Sequence, residues 1–168
     1  NINLQGDSDD VAAAVGNIDT FVGTPTAQLS DAHTLAELKA INNKIDGTIT
    51  LNDYTVALSG SSADIADALS GTFAQVYTGN VTLQSQHTFT ELKTINDATT
   101  GTITVQTPAL PLTGTVADVK AALDGTLPTA YTGNVVLNDA NGTTITATDI
   151  STIEDATNGT VTVSNNIN

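Results

Sequence analysis

The chain has 168 residues and a net charge of −14, with four lysines, no arginine and no cysteine. That balance excludes a nucleic-acid interface, which needs clustered Lys and Arg on phosphates, and gives no affinity for an anionic membrane surface. It also excludes disulfides, zinc–thiolate sites and a cysteine nucleophile. No apolar run approaches the roughly 18–20 residues that span a bilayer, so no membrane insertion is expected. The chain opens on Asn1 without Met or a leader pattern and reads as a processed form or a segment of a longer protein.

The first signal along the chain is recurrence. Leu4-Gln5-Gly6 matches Leu58-Ser59-Gly60 and Leu112-Thr113-Gly114, and Thr34–Leu51 is rewritten at Thr88–Val105 and Thr146–Val163. The period is about 54 residues, with a four-residue insertion in the last copy. Three copies follow, over residues 1–51, 52–105 and 106–168, read together as a single domain.

Each copy has two helix–strand halves. The first half opens with a short extended piece ending in glycine: Ile2–Gly6, Thr55–Gly60 and Ala109–Gly114. Asp7-x-x-Asp10, Ser61-x-x-Asp64 and Thr115-x-x-Asp118 then have capping-box spacing, which predicts a helix start. Val11/Val15, Ile65/Leu69 and Val119/Leu123 are four apart and give each helix one apolar face. Gly71 and Gly125 sit where two of these helices should stop. Thr26–Leu29, Asn80–Leu83 and Asn134–Leu137 are the strands that follow.

The second half starts on Thr34-x-x-Glu37, Thr88-x-x-Glu91 and Thr146-x-x-Asp149, again with capping spacing. Its apolar stripes are Leu35/Leu38/Ile41, Phe89/Leu92/Ile95 and Ile150/Ile153. Gly47, Gly101 and Gly159 precede strands Thr48–Leu51, Thr102–Val105 and Thr160–Val163, in which Thr alternates with Ile, Val or Leu.

Helices and strands alternating on short connections predict parallel strands with right-handed crossovers. The expected fold class is α/β. The expected architecture is a solenoid of three units, each with two helix–strand coils, and a parallel sheet with helices on one face. A closed βα barrel is the runner-up. The extended pieces at 55–60 and 109–114 either hairpin back on the preceding strand or form a second small sheet.

Candidate site residues fall in four groups. Asp7, Asp9 and Asp10 are the densest acidic cluster and suit calcium, a hard cation that takes carboxylate oxygens. A helix N-terminus explains the same acids without a metal. Asp139, in the inserted Asn138–Gly142 loop, suits either a cation or a turn. Thr48, Thr50, Thr82, Thr102, Thr104, Thr160 and Thr162 are expected to point to one sheet face, a regular array of the kind that suits ice binding or a polar ligand. His33 and His87 share one repeat position, and neither has a nucleophile motif beside it. No nucleophile elbow, phosphate loop or dinucleotide fingerprint occurs, and no cofactor is expected beyond the possible calcium.

The phrases YTGNVTL (Tyr77–Leu83), YTGNVVLND (Tyr131–Asp139), and TLAELKAIN (Thr34–Asn42) followed by GTITLND (Gly47–Asp53) resemble repeat units of very large secreted or cell-surface proteins of marine cyanobacteria and related bacteria. The resemblance spans essentially the whole chain and carries no catalytic motif. It implies a non-enzymatic structural or adhesive role, an extracellular or cell-surface location and a longer parent protein. Expected partners are surface glycans or the chain itself, stacking end to end into filaments through exposed ends.

Overall fold

In the computed structural model, which describes residues 2–127 and 130–164, the chain is an α/β fold with six helices and parallel strands in three small sheets. In chain order the elements are β1 (Asn3–Gly6), α1 (Ser8–Gly16), β2 (Thr26–Leu29), α2 (Leu35–Asn42), β3 (Thr48–Thr50), β4 (Leu58–Gly60), α3 (Ser62–Leu69) and β5 (Thr72–Phe73). They continue with β6 (Val81–Leu83), α4 (Phe89–Ala98), β7 (Ile103–Thr104), β8 (Leu112–Gly114), α5 (Val116–Leu123), β9 (Val135–Leu137), α6 (Ala147–Ala156) and β10 (Val161–Val163).

The helices start where the capping pairs stand. Thr34 and Glu37 form a reciprocal box on α2, Thr88 and Glu91 on α4, and Thr146 and Asp149 on α6. In α4 the Thr88 hydroxyl accepts from the Glu91 N–H at 3.2 Å, and the Glu91 carboxylate accepts from the Thr88 N–H at 2.8 Å. Ser61 and Thr115 cap α3 and α5. Asp7 is the exception to the predicted pattern. Its side chain makes no cap on α1 and instead accepts from the Ser30 hydroxyl at 2.6 Å. Thr88→Ala is therefore expected to cost about 1 kcal/mol in urea unfolding. Asp7→Ala should cost much less.

The strands pair only in parallel. Asn3 lies opposite Thr26, Ala27 opposite Ile49 and Thr48 opposite Thr72, which gives the sheet β1-β2-β3-β5. Leu58 opposite Val81 and Val81 opposite Ile103 give β4-β6-β7. Leu112 opposite Val135 and Val135 opposite Val161 give β8-β9-β10. The one parallel sheet expected from the sequence is thus divided into three. The extended pieces are the reason. Leu58–Gly60 and Leu112–Gly114 do not hairpin back; each opens a new sheet, β4 pairing with β6 and β8 with β9, while β5 extends the first sheet.

One apolar cluster joins the elements, from Val11 in α1 to Ile153 in α6. It holds the inward alternates of the strands (Ala27, Ile49, Val81, Ile103, Val135) and the helix stripes Leu38/Ile41 and Leu92/Ile95. Each helix packs on the next in chain order, α1 on α2 through to α5 on α6. No helix among the described residues is long and apolar enough to cross a membrane.

Candidate functional site

The outward sheet faces are polar. Register sets Gln5, Gln28 and Thr50 side by side in the first sheet, Ser59, Thr82 and Thr104 in the second, and Thr113, Val136 and Thr162 in the third. All seven candidate threonines are exposed or half-exposed, as their strand alternation predicts. They do not make one array. Thr48 and Thr50 belong to the first sheet, Thr82 and Thr104 adjoin in the second, and Thr162 stands beside Val136 in the third. Thr102 lies opposite Thr126, outside the regular strands. Asn80 and Asn134 interrupt the face for a local reason. Their side-chain oxygens accept from the Thr102 and Thr160 N–H groups at 2.9 and 3.0 Å.

The Asp7, Asp9 and Asp10 carboxylates do converge, with one oxygen of each within 4.8 Å of the others, and all three residues are exposed. Calcium takes six to eight oxygens. Asp7 is shared with Ser30, and one Asp9 oxygen accepts from the Asp10 N–H at 2.9 Å. Millimolar calcium is accordingly expected to leave the melting temperature unchanged. A clear rise that Asp9→Asn abolishes would assign a metal to this loop. Asp139 is already engaged in the fold: its carboxylate accepts from the Val116 N–H at 3.0 Å, at the start of α5. Asp31 serves Ser8 in the same way at α1.

The two histidines are buried, 3% and 5% exposed, and each meets a tyrosine 44 residues on. His33 Nε2 lies 3.0 Å from the Tyr77 hydroxyl, which donates to the Val56 carbonyl at 2.7 Å. His87 Nε2 lies 3.0 Å from the Tyr131 hydroxyl, which donates to the Leu110 carbonyl at 2.7 Å. Each tyrosine has spent its only proton on a carbonyl, so the histidine is the donor and carries its proton on Nε2. Burial pushes both imidazoles below their ordinary value and pushes the Tyr131 hydroxyl up to about 12. A neutral histidine locked to a spent tyrosine ties two parts of the chain together. The other ring nitrogen, Nδ1, is buried with no hydrogen-bond partner in either histidine.

No family model, curated protein or solved structure matches the chain.

The remaining polar groups also tie neighbouring elements together. Ser8 and Ser62 donate to the capping Glu37 and Glu91 at 3.0 and 2.7 Å, so each box also holds the preceding helix. Lys120 reaches Asp149 at 2.7 Å and, with the Thr146 hydroxyl, holds that carboxyl at about 2. Lys39 likewise bonds Asp64 and Asp67 and holds Asp64 below the usual carboxylate range. A groove of about 460 Å³ beside that ion pair is lined by Leu35, Ala36, Lys39, Ala40, Asn43 and Asp64.

Three recurring pairings went unread in the sequence. Tyr77 and Tyr131 repeat at the same interval as His33 and His87, which was the signal that they are partners. Thr99 and Thr157, both buried, take the N–H of Gly101 and Gly159 and donate to the Gly79 and Gly133 carbonyls. Asn42 and Asn96 donate to the Asp67 and Ala121 carbonyls and press on Gly71 and Gly125.

Proposed function

We propose that the chain is a non-enzymatic structural or adhesive module of an extracellular or cell-surface protein, built as an α/β solenoid of three units. The observation that carries this reading is the use made of the buried chemical groups. Both histidines, the two buried tyrosines and the buried threonines are spent on bonds between neighbouring passages of the chain, and each bond recurs one copy further on. In a solenoid each unit contacts only its neighbours, and helix packing strictly in chain order suits that description. The acidic, Thr- and Asn-rich surface suits a stiff spacer that stays soluble or presents an extended polar face to glycans. The resemblance of Tyr77–Leu83 and Tyr131–Asp139 to repeats of giant bacterial surface proteins supports the location.

Two measurements test this. Pulled from its two ends, a stacked array should unfold in steps of one unit; a single all-or-none rupture would count against the stacking. Displayed on a bacterial surface, the module should raise retention on glycan-coated supports, and unchanged retention would leave only the spacer role.

A ligand-binding reading has one observation of its own, the convergent Asp7, Asp9 and Asp10 oxygens, and the calcium titration above decides it. The ice-binding form rests on the Thr faces. Ice crystals that grow with ordinary shape and rate in its presence would remove that form.

A further inference from the structure

We infer that a matched set of side chains locks one copy to the next and that the outward faces of the first and third copies lack it, so two molecules of this chain do not stack head to tail. The inference rests on the repeat reading above.

The lock has three parts, each present at both internal seams. His33 and His87 reach forward to Tyr77 and Tyr131 of the following copy. Asn42 and Asn96 reach forward to main-chain carbonyls and lie against Gly71 and Gly125, where a Cβ would overlap the amide. Leu35 and Phe89 sit against Gly60 and Gly114, which have no side chain to displace them. Every part takes one residue from the second half of a copy and its receiver from the first half of the next.

On the third copy the forward residues are gone. His87, one residue before the capping Thr88, is matched by Ile145 before the capping Thr146, Phe89 becomes Ala147 and Asn96 becomes Glu154. Lys39, which bonds Asp64 and Asp67 across the first seam, becomes Ser151. Ala147, Ser151 and Glu154 are exposed. On the first copy the receivers are altered to match: Gly23 stands for the tyrosine and Asn17 for the glycine under the amide. Gly6 and Asp10 are the receivers that remain.

The strand edge alone would not prevent stacking. The Ile49 carbonyl accepts from the Ala74 N–H, and the Ile103 N–H donates to the Thr126 carbonyl, so β3 and β7 are each covered by the next copy. Val161 holds the same position in β10 and is half-buried, whereas Ile49 and Ile103 are fully buried. The side chains around β10, not its backbone, refuse a further copy. The inference runs against the end-to-end filament expected from the sequence.

Sedimentation velocity on the full chain tests it, over a wide protein concentration and at both low and high salt. High salt removes charge repulsion as the reason for any monomer. The wild type is expected to stay monomeric throughout, and concentration-dependent association would overturn the inference. Installing two of the three missing parts, Asn17→Gly with Ala147→Phe and Glu154→Asn, is expected to produce head-to-tail association. A variant that stays monomeric would also overturn it, because those residues would then not be the lock. These positions are exposed, so folding should survive the changes. In the reverse arm, Phe89→Ala with Asn96→Glu places the terminal residues in an internal seam, and the melting temperature should fall clearly. An unchanged melt would remove the lock and the repeat reading together. A lowered melt beside an associating wild type would remove this inference alone.

Discussion

Gly101→Ala is expected to cost about 3 kcal/mol of unfolding free energy, enough to threaten folding of a chain this size. Gly101 is buried, and a Cβ built on it would overlap the Gly79 carbonyl. The new Cβ would meet backbone atoms, so no neighbouring side chain can rotate away to make room. That carbonyl also accepts the Thr99 hydroxyl at 3.0 Å, and the same hydroxyl accepts from the Gly101 N–H at 3.0 Å. Pushing the two strands apart would break both bonds and open the core beside Ile103. Gly16→Ala is the control. Gly16 ends α1 with nothing near its Cβ position, and there alanine should be neutral or stabilising, by up to about 1 kcal/mol. Urea denaturation of the two variants gives the comparison. Equal effects would mean that helix propensity, and not the close approach, governs both sites.

The same glycine shows how much of this fold could be read from the sequence. Gly47, Gly101 and Gly159 stand before their strands as the sequence predicts, but they do not cap the helices, which end at Asn42, Ala98 and Ala156. Their actual constraint comes from a segment about twenty residues away, and nothing local records that distance. Strand and helix periodicities behave similarly. Alternation placed Ile49 and Ile103 inside, and also Val161, which is half-buried; spacing of three and four placed Leu92 and Ile95. The capping boxes at Thr34, Thr88 and Thr146 are local chemistry and stand as predicted. Asp7 has the right spacing but lies within reach of Ser30, a competitor supplied by the neighbouring strand end. Division into three sheets was not legible, since a parallel strand's partner is fixed by the crossover and not by its own residues. The Thr face was half legible. Exposure follows from alternation, but continuity depends on which sheet each strand joins.

The candidate histidines were legible as a repeat position and illegible in role, and their role carries the second large expected effect. Above about pH 7 both imidazoles are neutral in the folded and unfolded chain, and the Nε2 proton is bonded to tyrosine. Nδ1 of each is buried with no partner. A bare lone pair there is tolerable, but a proton would be a buried donor with nothing to bond, costing about 1–3 kcal/mol. Burial lowers both values from 6.5, partly offset at His33 by Asp53, Glu37 and Asp31 and at His87 by Glu91. As pH falls through 6.5, the unfolded chain therefore takes up protons that the folded chain refuses. Stability should decline from that point down to the depressed folded value. The carboxylates come later. Glu37, Glu91 and Asp149 are held below their ordinary values, so their stabilisation is present above the usual carboxylate range and lost only below it. A loss between about pH 7.5 and about pH 5 thus reports the histidines. His33→Gln with His87→Gln keeps a donor for each tyrosine and removes the titration, so its stability should be flat over that interval. Tyr131→Phe should instead cost about 1–3 kcal/mol near neutral pH, by orphaning both the His87 N–H and the Leu110 carbonyl. A wild-type profile already flat over that interval would mean that these imidazoles open to water without loosening the joint between copies, and the His–Tyr pairs would then not be what fastens one copy to the next.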